Sequence, residues 1–193
     1  EEIDKQFLAS ATGRDGDVLF EYKWVTAWRG EDLGPQVEAY VPLFEARTHE
    51  KDPVDTLHGP LRDLFSTGAS LAPDEWRAYA DARVDLRQLL TYLAVETFVA
   101  DEDGLLGGEG MNNFYVHRPA DGLQHRLLPW DKDKAFGDVG ASIWLRADEN
   151  ALVRRALAFP DLRAHYLDEL QRLVALTSEE GWWAARLEAL VST

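Results

Sequence analysis

Cysteine is absent from all 193 residues, which removes disulfides and thiolate metal sites. The compartment stays open, because many secreted chains also lack cysteine. Basic residues are scarce, at 20 Lys and Arg against 35 Asp and Glu, a formal net charge of −15. A surface of that sign repels nucleic-acid phosphates and anionic lipid, so neither is expected as a partner. No apolar run reaches the ~18 residues that a membrane-spanning helix needs. The five histidines, His49, His58, His117, His125 and His165, show no close ligand spacing, which argues against zinc. No Walker-type loop, no G-x-G-x-x-G and no G-x-S-x-G string occurs. Gly107-Gly108-Glu109-Gly110 is rich in glycine but is by itself a weak phosphate signal. Repeats and low-complexity blocks are missing as well. The chain opens Glu1-Glu2-Ile3, with neither initiator Met nor signal peptide, as a processed or excised piece would.

What is present describes a folded domain. Hydrophobic residues make up 46% and charged residues 28%, with seven Trp, enough to bury a sizeable core. A short helix is predicted from Asp4 through Leu8, closed by Thr12-Gly13. Val18 to Val25, rich in aromatic and β-branched residues, reads as a strand. From Arg29 to His58, Gly30, Gly34, Pro35, Pro42 and Pro53 break the pattern into loops and short helices. A helix is expected over Leu61 to Phe65. Another starts at Pro73-Asp74-Glu75-Trp76, with Ser70 or Ala72 near its cap. The clearest helix runs from Asp85 to Ala100. Leu86, Leu89, Leu90, Leu93 and Phe98 recur at helical spacing, and it is almost apolar all round after Tyr92, which predicts a central, buried position. Asn113–His117 and Gln124–Trp130 form a predicted hairpin around Pro119-Ala120-Asp121-Gly122. The tail is helical over Glu149–Phe159, Asp161–Leu176 and Ser178–Leu190, with Ser178, Glu179 and Glu180 as the start signal of the last.

Polar chemistry concentrates in residues 101–138. Asp101, Glu102, Asp103, Glu109, Asp121, Asp131, Asp133 and Asp138 lie there, with the amides Asn112 and Asn113. Asn113 opens the first hairpin strand and Asp131 follows the second. Antiparallel pairing makes them neighbours, with Asp103 delivered by the end of the buried helix. Three oxygen donors around one point suit a hard cation, Mg²⁺, Mn²⁺ or Ca²⁺. The order Asp, Asn, strand, turn, strand, Asp parallels protein kinases, where one Asp accepts the hydroxyl proton and an Asn and a later Asp hold the metal ions on ATP. Kinases place the Asn five residues after the Asp. Here Asp103 and Asn113 are ten apart, an atypical version.

At Asn112-Asn113-Phe114-Tyr115 and Pro129-Trp130-Asp131-Lys132-Asp133-Lys134-Ala135-Phe136-Gly137 the sequence resembles the CotH kinase family, named for a bacterial spore-coat protein. Tyr92-Leu93-Ala94-Val95-Glu96 is similar to the helix before that family's Asp turn. Residues 149–166 resemble its closing helices. Glu1-Glu2-Ile3-Asp4, Phe7-Leu8 and Tyr22-Lys23 resemble the segment after its nucleotide-lobe strands. The likeness covers roughly residues 1 to 175. It implies an α+β, predominantly helical fold, atypical and protein-kinase-like. The chain would be mostly the carboxy-terminal lobe, one domain portion over 1–193, with a small hairpin carrying the active site, loops at 101–138 and closing helices at 148–191. It implies transfer of phosphate from ATP, with Mg²⁺, to Ser/Thr-rich segments of secreted, cell-surface or spore-associated proteins. Carried over residue by residue, Asp103 is the essential Asp, Asn113 and Asp131 hold metal, and Asp133 assists. His125 and Trp130 are the cofactor-side aromatics. His125 stands where the family often has an aromatic that stacks on the nucleotide.

The sequence departs from the family at four places, the first being His125 itself, which would stack less strongly than that aromatic. Lys132 and Lys134 put charge where apolar residues are common. Leu105–Gly110 lengthens the catalytic loop. The family's first strands have no counterpart, so an upstream segment or partner is expected to complete the nucleotide lobe. The alternative is a catalytically inactive surface or adhesion module on the same fold. Plain structural roles remain for each candidate: a turn acid at Asp103, a turn residue at Asn113, a hairpin anchor at Trp130, exposed strand histidines at His117 and His125, a solvated Lys23, and helix packing for Trp182-Trp183.

Overall fold

The computed structural model describes residues 5–13 and 16–191. Helix α1 (Lys5–Thr12) leads into β1 (Val18–Tyr22). A 3-10 turn (Val37–Ala39) precedes β2 (Phe44–Ala46). Helix α2 (Val54–Arg62) runs into a π-helical turn (Asp63–Thr67). Pro60 inside α2 has no N–H for the carbonyl four residues back, a reason for the ladder to loosen here. Then come α3 (Pro73–Asp81), α4 (Leu86–Phe98), β3 (Phe114–Arg118), β4 (Arg126–Pro129), α5 (Ala151–Leu157), α6 (Pro160–Thr177) and α7 (Trp182–Val191). The fold is α+β, as expected. The predicted first turn at Asp4 lies outside the described residues.

Four differences from the sequence reading have physical causes. The hairpin is not a small isolated element. It is half of an antiparallel sheet ordered β2-β1-β3-β4, because β1 pairs with β3 on one side and β2 on the other. The strand over 18–25 stops at Tyr22, where Lys23 donates to the Leu43 carbonyl. The helix over 61–65 is the end of α2 plus the π turn. Ser178 closes α6 instead of opening α7, its N–H taken by the Val174 carbonyl.

Both faces of the sheet are covered. Phe20, Tyr22, Phe114 and Val116 join the main core with α2, α4 and α6, while Leu19 and Tyr115 meet Leu8 of α1 on the other face. The period of two in β1 and β3 divides the strands between those cores. Tyr22 stacks on Phe114 at 4.6 Å between ring centres, and Trp28 meets Phe65 edge-on at 4.8 Å. This coverage overturns the reading of the strand histidines as exposed. His117 is 7% and His125 1% exposed.

Helix α4 organises the site. Asp85 caps it by accepting from the Gln88 N–H. Gln88 Nε2 donates to the Leu127 carbonyl at 2.7 Å and Gln88 Oε1 accepts the Leu127 N–H at 2.9 Å, tying the helix to β4. Along α6, Tyr166 donates to the Ile143 carbonyl at 2.6 Å and lies 3.1 Å from the Thr97 hydroxyl. The helix is less uniformly apolar than its sequence suggests: Val95 is half exposed and Glu96 is buried.

Candidate active site

The end of α4 sets the geometry. Ala100 adopts φ 49°, and Asp101 N–H returns to the Glu96 carbonyl at 2.9 Å, a left-handed stop that throws the chain back across the helix end. Asp101 then accepts the Asp103 N–H at 3.1 Å. The second loop runs alongside. Phe136 and Gly137 donate to the Val99 and Ala100 carbonyls, and Glu102 N–H reaches the Lys134 carbonyl. The Glu102 carboxylate takes the Asp138 N–H at 3.0 Å. The loops at 101–110 and 131–138 are thereby zipped together.

Asp103 and Asn113 meet as expected. Asp103 Oδ2 accepts from Asn113 Nδ2 at 3.2 Å and from Asn112 Nδ2 at 3.3 Å. Lys134 Nζ lies 3.3 Å from the same oxygen. The hairpin register brings Asn113 beside the other loop, where its carbonyl accepts the Trp130 N–H, one residue before Asp131. Asn113 (φ 58°) and Asp131 (φ 44°) are both left-handed, a conformation these two residue types tolerate better than most. Asp131 and Asp133 are exposed. Among the described residues neither side chain has a hydrogen-bond or ion-pair partner.

Among the described residues no three His, Asp or Glu groups converge as a self-sufficient metal cage. The oxygen donors at Asn113 and Asp131 nonetheless suit a hard cation that takes its other ligands from phosphate and water, as kinase metals do.

The two cofactor-side aromatics do not fit that role. His125 is 1% exposed, its Nδ1 sits 2.6 Å from the Arg83 carbonyl, and its backbone bonds to Arg83 and Asp85. No ring face is free for a nucleotide. Burial lowers its pKa to about 4, so it is neutral. Trp130 meets Tyr115 edge-on at 5.5 Å and packs on the Leu8–Leu19 cluster, the role of a hairpin anchor. The glycine-rich stretch is not a phosphate cradle either. The Gly107, Gly108 and Gly110 N–H groups go to nearby carbonyls, while Arg29 takes the Gly107 and Gly108 carbonyls at 2.9 and 2.6 Å.

Sequence reasoning missed a buried charge cluster beneath the loops. Lys132 Nζ reaches Glu96 Oε1 at 2.5 Å, stands 3.0 Å from Asp101 Oδ2 and lies over the Tyr92 ring. The Asp101 contact is off the angle of a hydrogen bond and is an ion pair only. Glu96 Oε2 accepts the Leu105 N–H at 2.8 Å. Burial raises the Glu96 carboxyl above its usual range, and the Lys132 ammonium offsets part of that. Tyr92 is likewise held well above its ordinary value by burial and by Glu96. Gly104 has no alternative here, because a Cβ would strike the Glu96 carboxylate. The available signal was a single acid in the apolar stretch of α4. A cleft of about 1030 Å³ opens beside this cluster between α4, α6 and the two loops, with Glu102, Asp138 and Arg146 on its wall.

The family model for CotH kinase protein matches residues 1–190. The chain belongs to the CotH kinase family. No curated protein matches it. Membership of the CotH family indicates a kinase-like function. No helix among the described residues is long and apolar enough to cross a membrane.

Proposed function

We propose that this CotH chain carries the catalytic and metal-holding part of an ATP-dependent phosphotransferase acting on Ser or Thr of secreted or surface proteins. The supporting observation is the Asp103–Asn113 contact at 3.2 Å, at the point where the hairpin delivers Asp131. Asp103 orients the acceptor hydroxyl and takes its proton as the new oxygen–phosphorus bond forms and the bond to ADP breaks. Asn112 and Asn113 hold the Asp103 carboxylate in place, so little reorganisation accompanies the step. Asn113 and Asp131 would hold Mg²⁺, with Asp133 assisting, and the ion would neutralise charge on the transferred group. Lys134 adds positive charge at the same point. In this reading Ser/Thr-rich protein segments are the acceptors.

The test is labelled phosphate transfer from ATP to a Ser/Thr peptide array, with Asp103→Asn as control. Transfer should fall at least ~100-fold with the unfolding midpoint unchanged. Undiminished transfer in Asp103→Asn removes the assignment. A second reading, a binding module on the same fold, is favoured by one feature: the Lys134 ammonium sits on the oxygen that catalysis needs. Mg²⁺-ATP that leaves the unfolding midpoint unmoved would favour it.

A further inference from the structure

At the far end of β3, about 16 Å along the strand from Asn113, lies a charge that the proposed mechanism does not use. Arg118 is only 8% exposed. Strand alternation puts it on the same face as Phe114 and Val116, toward the main core. Its guanidinium has no hydrogen-bond or ion-pair partner among the described residues, and its Nε is buried without an acceptor. Burial lowers its pKa, with no carboxylate to counter the effect. Nearby His58 and His125 are both buried, and both feel its charge as a further push toward neutrality. His125 Nε2 also lacks a partner among the described residues. A buried guanidinium with five N–H donors and no anion is a costly arrangement, and proteins rarely keep one without a use.

Arg118 lines a pocket of about 510 Å³ between the end of the sheet and α2, with Val18, Gly59 and Leu123 as apolar wall. The three carboxylates on its wall have their own partners. Asp52 pairs with His49 at 3.3 Å, and Asp55 and Asp63 pair with Arg62 at 3.6 and 2.8 Å. None of them reaches Arg118.

We propose that this pocket is an oxyanion site in which Arg118 forks onto the phosphate or carboxylate group of a small ligand. The planar donor pair matches two oxygens of either group. The site is separate from the Asp103 loops, and the inference does not rest on the kinase reading.

Thermal unfolding of the chain in phosphate, acetate and chloride at equal ionic strength, without added metal, tests it. The midpoint should rise by several degrees in phosphate or in acetate relative to chloride, and which of the two acts tells the ligand class. Asp131→Ala should keep that rise, which separates this pocket from the metal loop. Arg118→Met should abolish the rise and leave the chloride midpoint at or above that of the unaltered chain, because it removes an uncompensated charge. Should Arg118→Met fail to fold, titration calorimetry with Arg118→Lys serves instead: charge is kept, the fork is lost, and affinity should drop at least ~10-fold. Equal midpoints in all three salts, or an oxyanion response that survives in Arg118→Met or is undiminished in Arg118→Lys, would overturn the proposal.

Discussion

Lys132→Met probes how the two site loops are held. The ammonium is three-quarters buried and serves two carboxylates, Glu96 at 2.5 Å and Asp101 at 3.0 Å, whose side chains are 6% and 1% exposed. Removing one partner of a buried pair leaves charge without compensation, typically a loss of about 3–5 kcal/mol. Two carboxylates are orphaned here, which argues for the high end. Glu96, already held above the usual carboxyl range, relieves part of that by taking up a proton, which argues for the low end. The expected net destabilisation is therefore about 3 kcal/mol, or ~6–12 °C for a domain of this size. Glu96→Gln alone should cost less, about 1–2 kcal/mol, because Lys132 keeps Asp101 as partner. Combined with Lys132→Met it should fall about 2 kcal/mol short of the additive sum. Urea unfolding followed by circular dichroism gives the cycle. Amide exchange gives its location: Phe136 and Gly137, which donate to the end of α4, should exchange faster in Lys132→Met. Additivity within ~0.5 kcal/mol would refute the cluster as a unit, and unchanged exchange at Phe136 and Gly137 would refute its hold on the loop.

Three more outcomes follow from single positions. His125 titrates near 4 when folded and near 6.5 when unfolded, so its contribution is complete above pH 6.5 and is lost as pH falls toward 4, a span of about 3 kcal/mol, with buried His58 adding in the same direction. Urea midpoints at pH 7.5 and 4.5 should diverge less in His125→Gln than in the unaltered chain, and an equal divergence would remove His125 as the cause. Gly110→Ala meets both a φ of 106° and the Trp28 backbone about 3 Å away, so it should cost at least ~2 kcal/mol by thermal unfolding; a smaller loss would show that the loop relaxes freely. Asn150→Ala removes the cap whose oxygen accepts from Leu152 and Val153, and should lower stability by about 1–2 kcal/mol in the same assay.

The sequence made the local elements legible where one period dominated. Leu86, Leu89, Leu90 and Leu93 marked α4, and the turn at 119–122 marked the hairpin, whose antiparallel geometry alone put Asn113 beside the loop of Asp131. What escaped needed partners distant in sequence. β2 has only three residues, Phe44–Ala46, and is a strand because β1 lies beside it. His117 and His125 look exposed on an isolated hairpin. They are buried because β1, α1 and the helices wrap both faces. Glu96 and Lys132 are 36 positions apart, and neither residue type announces burial until the other is in place.

The left-handed residues explain why the site depends on its supports. Among the described residues six non-glycine residues have positive φ, and five of them, Ala100, Asn113, Asp131, Phe136 and Arg146, lie in or beside the two zipped loops. Each costs on the order of 1 kcal/mol, less for Asn and Asp. Such strain persists only where neighbours over-determine it. Here the Phe136 and Gly137 hydrogen bonds to α4, the Asn113 carbonyl under Trp130 and the Lys132 cluster do so. Asn and Asp at 113 and 131 therefore serve twice: they tolerate the backbone that the loop crossing demands, and they carry the oxygen atoms that the proposed chemistry uses. A substitution such as Asn113→Ala tests both roles at once, whereas Asn113→Asp keeps the backbone tolerance and an oxygen but replaces the amide donor to Asp103 with a like charge. If positioning of Asp103 is what matters, Asn113→Asp should fold normally and still lose transfer. Full transfer in that variant would mean that the amide contact at 3.2 Å is dispensable.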